Sequence, residues 1–186
     1  MKKLIIVLLA SSVILSCKKK EEVTFDAEKA AFFDNLIDAT EAAARIQATG
    51  AEFNDSLLSD PANAGRYAGD PIKASANLGI YLSDLNYSIA FKQSATTSEL
   101  FGAAHTLSQT VGVEHSILQF LMERYTNNLQ QNDSAQAIVH ELFQRSTFYL
   151  KGTDRENMVG IAMCAYQIEN LHLALGTINS YPKDII

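Results

Sequence analysis

Residues 77–87 read Asn77-Leu78-Gly79-Ile80-Tyr81-Leu82-Ser83-Asp84-Leu85-Asn86-Tyr87. At 100° per residue, Leu78, Leu82, Leu85 and then Ile89 fall in one apolar row, and Ile80, Tyr87 and Phe91 in another. Between the rows, Asn77, Tyr81, Asp84 and Ser88 follow at i, i+4, i+7 and i+11, the spacing of one narrow stripe on a helix. The opposite face carries Ser75, Gly79, Ser83, Asn86 and Ala90, small enough to admit close contact with another helix. From Ala74 to Phe91 the only charged residue is Asp84. A surface helix normally shows a charged face. One this poor in charge belongs in the middle of a bundle, with its polar stripe at least half buried.

Working outward, Asp70-Pro71 opens this helix with an acid as cap and proline in the first turn, and it runs to about Lys92. Upstream, a helix is expected from Asp26 to Thr49, burying Ala30, Phe33, Ile37 and Ala44 and stopping at Gly50. Glu52 to Ser59 suggests a short helix, and Pro61, Asn63, Gly65 and Gly69 mark a loop. Downstream, helices are expected from about Thr97 to Val111 (stopped by Gly112), Glu114 to Asn127, and Asp133-Ser134 to Leu150 (stopped by Gly152). A last one starts at Thr153 or Asp154 and reaches about Ile178. From Asn157 to Ile178 its only charged residue is Glu169, so it too is expected at the centre. No stretch alternates as a strand does, and no tetratricopeptide period recurs. The reading is all-α: a globular antiparallel bundle of about five to seven helices, two of them apolar and central.

A buried acid needs a donor. Arg155, at the start of the last helix, and Tyr166, Glu169 and His172, on one face of it at i, i+3 and i+6, are the candidates to meet Asp84. Three readings stay open. The stripe Asn77, Tyr81, Asp84 and Ser88 forms a structural network with Arg155, Tyr166 or backbone; in that case Asp84→Asn lowers thermal stability. Alternatively, it lines a ligand pocket between central helices. Or Asp84 and Glu169 are a catalytic pair, one acid and one base, as in glycoside hydrolysis.

The N-terminus sets a location. Lys2 and Lys3 precede an apolar run from Leu4 to Leu15, too short to span a bilayer but of the length of a secretory leader. It ends in Ile14-Leu15-Ser16-Cys17, which resembles the bacterial lipobox, so Cys17 is the expected lipidation site and the membrane is a partner through that lipid. Residues 1–16 are then a cleaved signal, 17–25 a charged tether, and 26–181 a single helical domain. Lys18-Lys19-Lys20-Glu21-Glu22 reads either as a solvated tether or as an address for the cell surface. The alternative address is the periplasmic face of the outer membrane.

Other chemistries find little support. Loss of the leader takes two of the 15 basic residues and none of the 21 acidic ones, leaving the remainder more acidic than the −6 of the whole chain. Its basic residues are scattered beyond position 20, so nucleic acid is not an expected partner. Cys164 stands in an apolar stretch and reads as a small core residue. The histidines His105, His115, His140 and His172 lack metal-ligand spacing; His140-Glu141 begins a zinc-protease pattern, but Gln144 stands where its second histidine belongs. Neither metal nor cofactor is expected.

The segment Asn77–Tyr87 and Asp154-Arg155-Glu156-Asn157, with the apolar helix that follows to Ile168-Glu169-Asn170-Leu171, resemble small, all-helical, uncharacterised lipoproteins of Bacteroidetes. That resemblance covers most of residues 26–176 and implies an all-α fold and an outer-membrane lipoprotein, with no activity attached. The leading expectation is a non-enzymatic binding or structural role in the cell envelope, toward an envelope protein or a small ligand. The alternative is an envelope hydrolase using Asp84 and Glu169.

Overall fold

A computed structural model describes residues 47–48, 50–113 and 135–179. Cys17 and the leader, the tether, most of the expected first helix and the helix expected at 114–127 lie outside them. Five helices are described: α1 (Ala64–Tyr67), α2 (Pro71–Ala90), α3 (Ser94–Val111), α4 (Ala135–Leu150) and α5 (Glu156–Asn179). Among the described residues there is no strand, and the protein is an all-α bundle.

Local chemistry sets the ends. The Asp70 carboxylate accepts from the Ile72 and Lys73 amides, 2.9 and 3.2 Å away, and Pro71 takes the first helical position. At the far end Gly112 adopts φ 86°, and its amide and that of Val113 bond back to the Ser108 carbonyl. Only glycine takes that left-handed step without strain.

Sequential neighbours run antiparallel: α3 returns along α2 after a three-residue connection, and α5 returns along α4. The broadest interface is between α2 and α5, which are not consecutive and run parallel. Ser83 bonds Asn170 and Tyr87 meets Thr177, so residue numbers rise together along the pair. The small face of α2 makes this possible. A Cβ on Gly79 would overlap the Ala162 carbonyl oxygen and come 2.9 Å from the Tyr166 amide nitrogen, all of it backbone.

The α2 helix is central: it packs on α1, α3, α4 and α5. The expectation of a second, equally enclosed helix is corrected by α5. Its inner face is buried through Val159, Ala162, Tyr166 and Leu173, but Ile168, Leu171 and Leu175 are exposed. Cys164, expected in the core, is exposed on the same outer face. The shortage of charge marked α5 as central, but the composition does not record how many sides a helix has covered.

Residues 51–63 differ from the expected short helix and loop. They form two three-residue 3-10 turns, Asp55–Leu57 and Pro61–Asn63, the second running straight into α1. Asn54 and Asp60 cap them, accepting from the Ser56 and Ala62 amides. Asp60-Pro61 repeats the helix-opening device of Asp70-Pro71.

Candidate functional site

Tyr81 and Asp84 of the polar stripe, with Tyr87 beside it, face the segment 53–60, which lies across α2 as a strap. Three side chains fasten the strap's backbone. The Asp84 Oδ2 accepts from the Ser59 amide at 3.0 Å, the Tyr81 hydroxyl donates to the Asp60 carbonyl at 2.9 Å, and the Tyr87 hydroxyl accepts from the Asn54 amide at 3.2 Å. The Phe53 ring stacks on Tyr87, with centroids 5.4 Å apart, and lies near Phe91. Leu57 fills the space beside Gly176 of α5. Phe53, Leu57, Leu58, Tyr87 and Leu173 thus make a small apolar cluster under the strap.

Asp84 has no exposed surface. Burial disfavours its charge and pushes its pKa up to about 7, against the pull of the Ser59 amide; the charge of Glu169 raises it further. Its second oxygen, Oδ1, has no hydrogen-bond partner among the described residues. Glu169, level with Asp84 on α5, is raised above the ordinary glutamate value, first by desolvation, while His172 pulls it down. Tyr81 is pushed up to about 12 by burial and then by Tyr67, Asp60 and Asp84.

The residues singled out from sequence separate into distinct settings. Arg155 does not reach Asp84: its guanidinium donates to the Thr110 carbonyl at 3.0 Å, closing the C-terminus of α3 beside Gly112. A cation there also suits the negative end of that helix. With α2 and α5 parallel, Arg155 sits near the start of α2, roughly 20 Å along the axis from Asp84 at 1.5 Å per residue. Tyr166 is buried on the α2 side of α5, its hydroxyl accepting from Asn86 Nδ2 at 2.5 Å and its ring edge-on to Phe143. Steps of three residues drift 60° around a helix, which is why Tyr166 is buried, Glu169 half-buried and His172 exposed. Asn77 is half-buried and bonds the Lys73 carbonyl of its own helix. Ser88 bonds the Leu85 carbonyl and the Thr97 hydroxyl, locking α2 to the start of α3.

The contacts that join α2 to α5 include bonds from Ser83, Asn86 and Asn170, which sequence reasoning had placed on the small face or passed over. Asn86 Oδ1, Asn170 Nδ2 and Ser75 Oγ are buried without a hydrogen-bond partner among the described residues. The signal for them was the run Ser75, Gly79, Ser83 and Asn86 itself: a polar group on a close-contact face must meet one on the other helix. An apolar void between α2, α3, α4 and α5, lined by Leu78, Leu82, Phe143 and Val159 among others, holds no more than a single water. Asp84 and Glu169 do not line it. Among the described residues no three metal-binding side chains converge.

Tyr81→Phe removes the donor to the Asp60 carbonyl. It is expected to cost about 1 kcal/mol and to speed cleavage within residues 53–60 in limited proteolysis. Unchanged cleavage would show that the strap does not depend on that bond. No protein-family profile, curated protein or solved structure matches the chain.

Proposed function

We propose that the chain is a lipid-anchored, all-helical module of the outer membrane, facing the periplasm or the cell surface, that binds or braces an envelope protein or small ligand rather than catalysing a reaction. The observation that carries this reading is the use made of the polar groups on α2. Tyr81, Asp84 and Tyr87 hold the strap, and Asp84 is fully covered by it. A catalytic carboxylate has to come within hydrogen-bond reach of the group it protonates or deprotonates. The anchor is supported by the leader and Ile14-Leu15-Ser16-Cys17, and the likeness to small Bacteroidetes lipoproteins agrees with it. No described helix is long and apolar enough to cross a membrane.

Cys17→Ala tests the anchor. Expressed with its leader in a bacterial host, the wild type is expected in the membrane fraction, labelled by a radioactive fatty acid. The variant is expected to lose the label and leave the membrane. A variant that stays membrane-bound and labelled overturns the assignment of Cys17.

One observation favours a second reading, an envelope hydrolase. Asp84 and Glu169 stand level on neighbouring helices, the charge of Glu169 bears on Asp84, and both are raised. With the strap lifted, one could serve as acid and the other as base. This reading requires the wild type to cleave chromogenic glycosides or esters and Glu169→Gln to abolish the cleavage; a wild type without turnover sinks it.

A further inference from the structure

We infer that the segment 53–60 is a pH-operated latch: it lies closed on α2 while the Asp84 carboxyl beneath it carries a proton, and it lifts to admit water once that carboxyl is charged. Asp84 has no exposed surface, its Oδ2 meets the Ser59 amide at 3.0 Å, and its Oδ1 has no hydrogen-bond partner among the described residues. A buried carboxylate needs its remaining lone pairs satisfied or a counter-charge beside it, and one amide supplies neither. A neutral carboxyl leaves only a hydroxyl to satisfy, which costs less.

Among the described residues, the charge that bears on Asp84 is another acid. Helix α5 presents Glu169 and, beyond it, His172, which acts on Glu169. The strap carries Asp55 and Asp60 and no base. Helix α1 contributes Tyr67, which with Asp60 acts on Tyr81, and Arg66, which is exposed and bonded to Asn63. The described buried residues of α3 and α4 include no titratable group. On α2 itself Lys73 lies roughly 16 Å away along the axis at 1.5 Å per residue.

The strap is the side that can yield. No residue of 53–60 is fully buried, and three side chains of α2 fasten it. Helix α5 cannot part from α2 as readily, because Gly79 sits against the Ala162 backbone and Ser83 and Asn86 bond across. Water therefore reaches Asp84 most easily beneath the strap. The Tyr81 hydroxyl, pushed up to about 12 first by burial, keeps its proton and its bond to Asp60 while Asp84 titrates. Lifting uncovers Tyr87, Phe91 and Leu173.

The direction follows from the protons bound. With the strap closed Asp84 ionises at about 7, and once solvated near its ordinary 3.8. The open form binds fewer protons between these values. Closure is thus firmest below pH 3.8, and opening grows by up to about tenfold per pH unit until it levels off above 7.

Amide hydrogen exchange of the full chain in a non-ionic detergent tests the latch, with wild type and Asp84→Asn compared at equal pH. For peptides covering 53–60, the ratio of wild-type to variant exchange is expected to rise at least about tenfold, and up to about a hundredfold, from pH 5 to pH 8. Those peptides should also be less protected than residues 79–86 of α2 throughout. If Asp84→Asn does not fold, the same loss of strap protection is read in the wild type against the exchange rates of the unfolded chain. Strap protection that holds from pH 5 to pH 8, or falls equally in the variant, overturns the latch. So does a strap protected as well as α2, since Asp84 then ionises only when the whole bundle unfolds.

Discussion

Asp84→Asn makes the protein more stable at pH 8 and flattens its dependence on pH. The wild-type carboxyl is buried, with the Ser59 amide as donor and another acid, Glu169, raising its pKa. An acid whose folded pKa exceeds its unfolded one keeps a proton that the unfolded chain releases. Its contribution is fully present below pH 3.8 and is lost as pH rises to about 7. A rise of about 3 pKa units corresponds to up to roughly 4 kcal/mol. Asparagine keeps the acceptor for Ser59 without a charge to bury, so this loss vanishes. The stabilising sign reverses what the sequence suggested, since that expectation weighed the bonds of the carboxylate and not the cost of burying its charge. Glu169, raised in the same direction and opposed by His172, leaves a smaller slope in the variant. Urea unfolding at pH 5 and pH 8 measures both chains. A variant that is weaker at pH 8 and keeps the wild-type slope would mean that the Asp84 charge is stabilised by the fold.

Gly79→Ala is expected to destabilise by at least about 3 kcal/mol, beyond the usual range for an added methyl in a packed core. The new Cβ would overlap the Ala162 carbonyl and press on the Tyr166 amide, and backbone cannot rotate aside as a side chain can. Relief comes only by parting α2 and α5, which pulls at the Ser83–Asn170 and Asn86–Tyr166 bonds. At 2–4 °C per kcal/mol for a domain of this size, the melting temperature should fall by about 10 °C. Gly102 supplies the control: it lies inside α3 with nothing within 4 Å of its would-be Cβ. Gly102→Ala should stabilise by about 0.5–1 kcal/mol through helix propensity alone. If both substitutions stabilise, α2 and α5 are farther apart than described.

What could be read from the sequence was local or periodic. Asp70-Pro71 and Gly112 marked helix ends because caps and stops are made by the residues themselves. The central place of α2 and the close-contact face around Gly79 followed from spacing along one helix. The partner of Asp84 did not, because it is a backbone amide 25 residues away. An amide carries no side-chain signature, so backbone stood open beside Arg155 and Tyr166 with nothing to single out Ser59. Asp60-Pro61 was legible in principle, since it repeats Asp70-Pro71, but the glycines and asparagine around it suggested loop. The parallel course of α2 and α5 depends on the chain between them, beyond the reach of any single-helix pattern.

The strap also fixes how the bundle carries load. A pull that lifts residue 53 away from α2 meets the strap first. Its fastenings lie in chain order, Asn54 on Tyr87, then Leu57 beside Gly176, then Ser59 on Asp84 and Asp60 on Tyr81. Such a pull peels them singly rather than shearing them together. The interlocked α2–α5 pair is then strained only after the last has opened.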